Sequence, residues 1–298
     1  SDLPAEWAGV FTRNQVKGHS LVRTRNLLEC RMPARAVVIN SGNANACVGP
    51  EGDLAASRMA ELAAAAAGCQ PDEVLTGSTG VIGKRLDLDR VAHGIAVAGA
   101  TLGRTPEDAH AAMQAIMTTD RVPKEVSLSF DLCGVGVTLA GMAKGSGMIH
   151  PDMATMIAVI VTDAAVSSLV LELALRKACD RSFNRVSVDG DTSVCDMVLL
   201  LANGAAGNAR LQDPASPDAR RFSEALDRLC DRLARAVAKD GEGATKLVEV
   251  LVRGAMTPED ARLAASAVAR SPLVKTAMFG EDANWGRILT AVGYSGAA

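Results

Sequence analysis

Lys144-Gly145-Ser146-Gly147-Met148-Ile149-His150-Pro151-Asp152-Met153-Ala154-Thr155, continuing directly into Met156-Ile157-Ala158-Val159-Ile160-Val161, is the stretch that decides the fold. Glycines dominate its first half, and a near-continuous run of Ile and Val forms its second. Residues 155–161 therefore read as a short strand buried on both faces. The glycine-rich half delivers Thr155 to the first position of that strand. A buried threonine hydroxyl becomes a nucleophile when a base lies beside it. Threonine is also an ordinary strand residue, so spacing alone leaves both roles open.

Working outward, residues 126–130 and 135–140 flank Asp131-Leu132-Cys133-Gly134 and read as a hairpin. Residues 34–39 read as a buried strand running into the polar turn Asn40-Ser41-Gly42-Asn43-Ala44-Asn45. A helix over 54–67 follows, ended by Gly68. Residues 73–76 read as a short strand entering the Gly-rich segment from Gly77 to Gly83. Helical patterns cover 87–97, 106–117, 169–181, 218–239 and 258–269. Strand character returns at 194–202, 246–252 and 273–278, and the polar stretch 208–217 is the best linker candidate. Mixed elements of this kind predict an α+β fold with a layered sheet core.

Composition narrows the function classes. The 298 residues make one large domain or about two. Aromatics are only 3%, so aliphatic residues and alanine must fill most of the interior. A net charge of −3 gives no basic footprint for nucleic acid. The longest apolar stretch, 153–161, is far short of the roughly 20 residues of a membrane helix. The seven cysteines are widely spaced, the closest pair being 16 residues apart, with no C-x-x-C. Reduced thiols in a cytoplasmic setting are expected. Ser1 is not an initiator methionine, so a processed, trimmed or partial chain is expected.

Several generic motifs fail. Before Gly83-Lys84 the position that a P-loop needs as glycine is Ser78. Gly145-x-Gly147 has His150 where a dinucleotide fingerprint needs its third glycine. Asp189-Gly190-Asp191 would place Leu200 at the twelfth position of a calcium loop, which needs Glu. His19, His93, His110 and His150 are scattered and read as structural or surface residues. Four polar turns against apolar strands remain. Ser78-Thr79-Gly80 can converge backbone N–H groups on an oxyanion or be a plain turn. Met117-Thr118-Thr119-Asp120 can meet a ligand or cap a helix end. The Lys144–Thr155 block is the third, and Asp240-Gly241-Glu242-Gly243-Ala244-Thr245-Lys246 the fourth. Glu242 there is either a ligand for an ammonium group or a solvated turn carboxylate.

Taken in order, these segments resemble the ornithine acetyltransferase family of arginine biosynthesis, also called glutamate N-acetyltransferase. The resemblance also includes Ala8-Gly9-Val10-Phe11-Thr12, Asn40 to Cys47, Asp180-Arg181-Ser182-Phe183-Asn184-Arg185, Asp189-Gly190-Asp191-Thr192-Ser193 and Asn203-Gly204-Ala205-Ala206-Gly207. Residues 271–275 and Asn284-Trp285-Gly286-Arg287 complete it.

The resemblance implies a chain that cuts itself between Ala154 and Thr155. The pieces would be an α fragment, 1–154, carrying the oxyanion hole, and a β fragment, 155–298, beginning at the nucleophile. It implies ping-pong transfer of acetyl from N-acetylornithine to glutamate through acetyl-Thr155, with Thr79 and Gly80 as the oxyanion hole. Thr118, Lys144, Thr155 and Glu242 are the implied substrate contacts, Lys144 suiting a carboxylate and Glu242 an amino group. The implied fold is a four-layer α-β-β-α sandwich resembling N-terminal-nucleophile hydrolases, with a smaller C-terminal α/β part. No metal or organic cofactor is implied. The fragments would assemble further, as a heterotetramer. Use of acetyl-CoA as a second donor, which would add amino-acid N-acetyltransferase activity, stays open. By the same comparison the chain is expected to be truncated at both ends, lacking the family's C-terminal segment. Two other readings stand beside this one. One is a related N-terminal-threonine acyltransferase or amidohydrolase with a different acceptor. The other is an inactive truncated homologue serving as an assembly partner.

Overall fold

The computed structural model describes residues 1–150 and 156–298. The strands are β1 (Glu6–Phe11), β2 (Ala36–Asn43), β3 (Val74–Val81), β4 (Glu125–Leu132), β5 (Val135–Lys144), β6 (Ile157–Thr162) and β7 (Met197–Ala202). The helices are α1 (His19–Cys30), α2 (Glu51–Ala67), α3 (Leu88–Ala100), α4 (Pro106–Ala115), α5 (Ser168–Arg181), α6 (Pro217–Lys239), α7 (Pro258–Arg270), α8 (Pro272–Phe279) and α9 (Trp285–Gly293).

β6 is the centre, as its apolar run predicts. A five-stranded sheet runs β1-β7-β6-β5-β4, and β2 and β3 form a separate parallel pair. β6 and β7 are parallel, joined across α5, and the other pairings of the large sheet are antiparallel. Alternate residues of β6 serve two different cores. Ala158 and Ile160 face a cluster with Leu171 and Leu175 of α5 and Phe222, Leu226, Leu229 and Leu233 of α6. Ile157 and Val159 face the opposite cluster, with Leu21 of α1, Leu75 of β3 and Met197 and Leu199 of β7. The outer face of the β2–β3 pair packs Val74, Ala36 and Val38 on Ala60, Ala63 and Ala64 of α2. Reading through, helices α5 and α6, the large sheet, the small sheet and helices α2 and α3 make the four expected layers.

Local chemistry explains the edges of these elements. α6 starts where the Ser216 hydroxyl accepts from Ala219 N–H and Pro217 takes the first turn. α2 stops at Gly68, which adopts the left-handed conformation at φ 66°.

Four sequence expectations need correction. Asn40 to Asn43 and Gly77 to Val81 are not turns; they are the C-terminal halves of β2 and β3, paired Asn40↔Ser78 and Ser41↔Thr79. Residues 246–252 form no strand, and no other strand pairs with them among the described residues. Residues 273–278 lie in α8, because Ser271 caps it, accepting from Val274 N–H, and Pro272 opens it. The smaller C-terminal part is thus built from α7, α8 and α9, around Val268, Val274 and Ala291. Residues 208–217 are no loose linker: Leu211 bridges to Val166, and buried Asn208 accepts from Ala165 N–H. All seven cysteines are free. Among the described residues no helix is long and apolar enough to cross a membrane.

Candidate active site

Three predicted site residues converge at the C-terminal end of β5. Lys144, the last residue of that strand, pairs with Ile157 in the sheet and is 1% exposed. Its ammonium donates to the Thr118 hydroxyl at 2.7 Å and to the buried Thr79 hydroxyl at 3.2 Å. Asp120 lies 3.8 Å from it. The structure therefore places a buried cation among hydroxyls, with a carboxylate behind it. Burial pushes the Lys144 ammonium below its ordinary range, and the Asp120 charge holds it up against that push.

Asp120 is the floor of the site. Its Oδ1 accepts from Gly145 N–H at 2.6 Å and from the Lys124 ammonium at 2.7 Å. Its Oδ2 accepts from Thr118 N–H at 3.1 Å. Burial pushes this carboxyl up, but the Lys124 ammonium, the two N–H groups and Lys144 outweigh it, and the net direction is down. Lys124 in turn reaches Asp240 at 2.7 Å, so two carboxylates and two ammonium groups form one buried chain. Two buried charges of each sign are tolerable only because each is paired and hydrogen-bonded.

Asp240 links this floor to Glu242. The Ser146 hydroxyl donates to Asp240 O at 2.6 Å, and Glu242 N–H donates to Ser146 O at 2.9 Å. Glu242 is exposed, and its carboxyl lies directly over Gly147, where a side chain would push it aside. Gly80 follows Thr79 in β3 with φ 133°, and a side chain at this position would run into the Gly42 backbone. This glycine keeps the strand end next to Thr79 bare. Asp120, Lys124, Asp240 and Ser146 were not singled out as site residues from the sequence. The sequence offers Asp120 as part of a helix-end cap; α4 ends at Ala115, and Asp120 instead organises the site floor. The signal that could have found it is the Asp120-x-x-x-Lys124 spacing just ahead of β4. Ala154 and Thr155, the predicted cleavage site and nucleophile, lie outside the described residues.

Residues 1–298 match the family described as ArgJ family. The chain belongs to the ArgJ family. The arginine biosynthesis bifunctional protein ArgJ of Symbiobacterium thermophilum is 54% identical over 297 residues, covering 100% of this chain and 73% of that protein. The protein of the same name from Geobacter sulfurreducens is 50% identical over 297 residues, covering 100% of this chain and 75% of that protein. The chain thus spans about three quarters of the length of these relatives. A solved structure of ornithine acetyltransferase with ornithine, from Mycobacterium tuberculosis, is 41% identical over 50% of this chain and 77% of that chain, with a TM-score of 0.46. Membership makes the chain a relative of arginine-biosynthesis enzymes.

Proposed function

We propose that this protein transfers an acetyl group from N-acetylornithine to glutamate through an ester on Thr155, after cutting its own chain between Ala154 and Thr155. The observation that carries the reading is the buried Lys144 ammonium, held by the Thr79 and Thr118 hydroxyls at the strand position paired with Ile157. Thr155 precedes that strand by two residues. An ammonium so desolvated binds a substrate α-carboxylate strongly, and the exposed Glu242 supplies the opposite charge for an amino group.

In the cutting step the Thr155 hydroxyl adds to the Ala154 carbonyl, the C–N bond breaks, and the hydroxyl proton goes to the departing nitrogen. Water then hydrolyses the resulting ester, freeing the hydroxyl and leaving an α-amine on Thr155. That amine, with an ordinary pKa of about 7.7–8.0, serves as the base for its own hydroxyl. The hydroxyl next attacks the acetyl carbonyl of N-acetylornithine, ornithine leaves with the proton, and glutamate takes the acetyl group from the ester. Thr79 and the Gly80 N–H stabilise the oxyanion in both halves.

Intact mass spectrometry of the parent and Thr155→Ala tests this. Two pieces divided at Ala154/Thr155 in the parent alone, and an added acetyl on the piece beginning with Thr155 after N-acetylornithine without glutamate, are expected. A folded parent that stays uncut overturns the reading. Release of free acetate at the same rate with and without glutamate replaces it with a hydrolase.

A further inference from the structure

Asp189-Gly190-Asp191, the motif that fails as a calcium loop, holds the backbone of the glycine-rich segment instead. Asp189 Oδ2 accepts from Met148 N–H at 2.5 Å. Its Oδ1 accepts from Ile149 N–H at 3.0 Å and from Asp191 N–H at 3.1 Å. Met148 is a left-handed residue, with φ 58°, and is not a glycine. Such a residue is uncommon and persists where its surroundings hold it. Successive N–H groups around it form a concavity that takes an anion. Here the anion is the chain's own carboxylate.

The residue before Asp189 is braced from both sides. Val188 N–H donates to Ile149 O at 2.8 Å, and the Lys275 ammonium of α8 donates to Val188 O at 2.6 Å. Burial lowers the Lys275 ammonium, and the Asp189 charge opposes that push. The Val188 side chain reaches the turn that carries Glu242: a Cβ on Gly241 would crowd its γ carbons. Glu242 is itself tied to the glycine-rich segment, by its N–H on Ser146 O and by its carboxyl over Gly147. Residues 145–149 are therefore anchored at three points. Asp120 holds Gly145 N–H, the Asp240 carbonyl holds the Ser146 hydroxyl, and Asp189 holds Met148 and Ile149. The first two anchors belong to the site floor. The third comes from the loop before β7 and is supported by α8.

We propose that Asp189, braced by Lys275, is a positioning residue for substrate selection: by fixing Met148 and Ile149 it holds Gly147 under the Glu242 carboxyl, and so sets the span between that carboxylate and the Lys144 ammonium. The inference rests on the reading of Lys144 and Glu242 as partners for a substrate carboxylate and amino group. Two fixed opposite charges measure the length of the chain between the two groups of a substrate. In N-acetylornithine the free amine is the one at the end of the side chain. Its homologue Nα-acetyllysine carries one methylene more, and a pocket of set length discriminates by that methylene. The arrangement also gives the exposed Asp189 a role that its own position, away from Lys144 in sequence, does not suggest.

The experiment measures acetyl transfer to glutamate from N-acetylornithine and from Nα-acetyllysine, in the parent, Asp189→Ala, Lys275→Met and the double variant. Asp189→Ala is expected to raise the KM for N-acetylornithine about tenfold with kcat within about twofold, the pattern of lost ground-state binding. Its preference for N-acetylornithine over the longer donor should narrow at least about threefold, with a melting temperature within about 4 °C of the parent. Lys275→Met should show the same pattern at about threefold in KM, and Lys275→Arg, which keeps a donor for Val188 O, should restore the parental value. The double variant should be no worse than Asp189→Ala alone, because both act on one strap. A parental KM and preference in Asp189→Ala overturn the inference, and so does a lower kcat at unchanged KM, which marks a loss of folded enzyme. If Asp189→Ala does not fold, Lys275→Met beside Lys275→Arg decides by the same two readouts. A parent that transfers no acetyl group from either donor overturns the substrate reading and this inference together. An active parent matched by its variants overturns only the latter.

Discussion

The site floor around Asp120 and the head of β6 around Asp196 solve the same problem in opposite ways. Both place a carboxyl out of water within the electrostatic reach of Lys144. Around Asp120 both oxygens are engaged, by two ammonium groups and two backbone N–H groups. Around Asp196 only one oxygen is engaged among the described residues, and burial drives the acid toward its neutral form. The first arrangement is finished and holds the site together. The second leaves one carboxyl oxygen without a partner among the described residues. Burial alone therefore does not say whether an acid is structural; the count of donors around it does.

The contrast breaks most visibly in stability. Asp120→Ala leaves Lys124 and Lys144 buried with one counter-charge fewer. Urea unfolding is expected to lose about 3–5 kcal/mol, the range for removing one partner of a buried pair. A loss under about 1 kcal/mol would place that network in solvent-like surroundings. Next in size is Thr79→Val, which takes a hydroxyl acceptor from a buried ammonium and should cost about 1.5–3 kcal/mol, read in the same assay.

Acid titration sharpens the comparison further. The Asp120 carboxyl is lowered in the fold. Its stabilising contribution is full above the unfolded value of about 3.9 and disappears as pH falls through the lower folded value. Asp196 is raised, so its contribution is full below about 3.9 and fades as pH rises through the folded value. Melting curves across pH should therefore show the parent gaining on Asp196→Asn toward acid pH and losing that gain toward neutrality. A difference independent of pH would remove Asp196 from the account.

The smallest effect is the stability of Asp196→Asn at neutral pH. It should stay within about 1 kcal/mol of the parent, because the shape is conserved and a costly buried charge is removed.

How much of this was legible depends on what each face buries. β6, α5 and α6 bury aliphatic stripes, and their periodicity names them. α1 was missed because its buried face is Ser20, Leu21 and Thr24. Two of these three are hydroxyls bonded to β3, with Thr24 donating to Thr76 O at 2.8 Å and Ser20 meeting Ser78 at 2.7 Å. No hydrophobic pattern reports a polar interface of this kind. The glycines of β3 read as a turn for a related reason: Gly77 faces the Met197 and Ile39 side chains so closely that a side chain there would displace them. At the site, Thr79, Thr118 and Lys144 are legible in the sequence, and the fold brings them together. Asp120 and Asp196 were hidden because their importance comes from residues far away in sequence.

The order β1-β7-β6-β5-β4 has a consequence for inheritance of the two pieces. Cut after Ala154, the sheet would read first piece, second, second, first, first. β1 would be separated from its own piece's β5 by two strands belonging to the other. The first piece would hold β1 apart from β4 and β5, the second only the β6–β7 pair, and the paired edges of β1 with β7 and β5 with β6 would bind them without a covalent bond. Separately expressed halves would have to thread their strands together during folding rather than dock afterwards. Split-gene complementation of this protein should therefore demand co-expression, and mixing two purified, pre-folded halves should not restore the sheet.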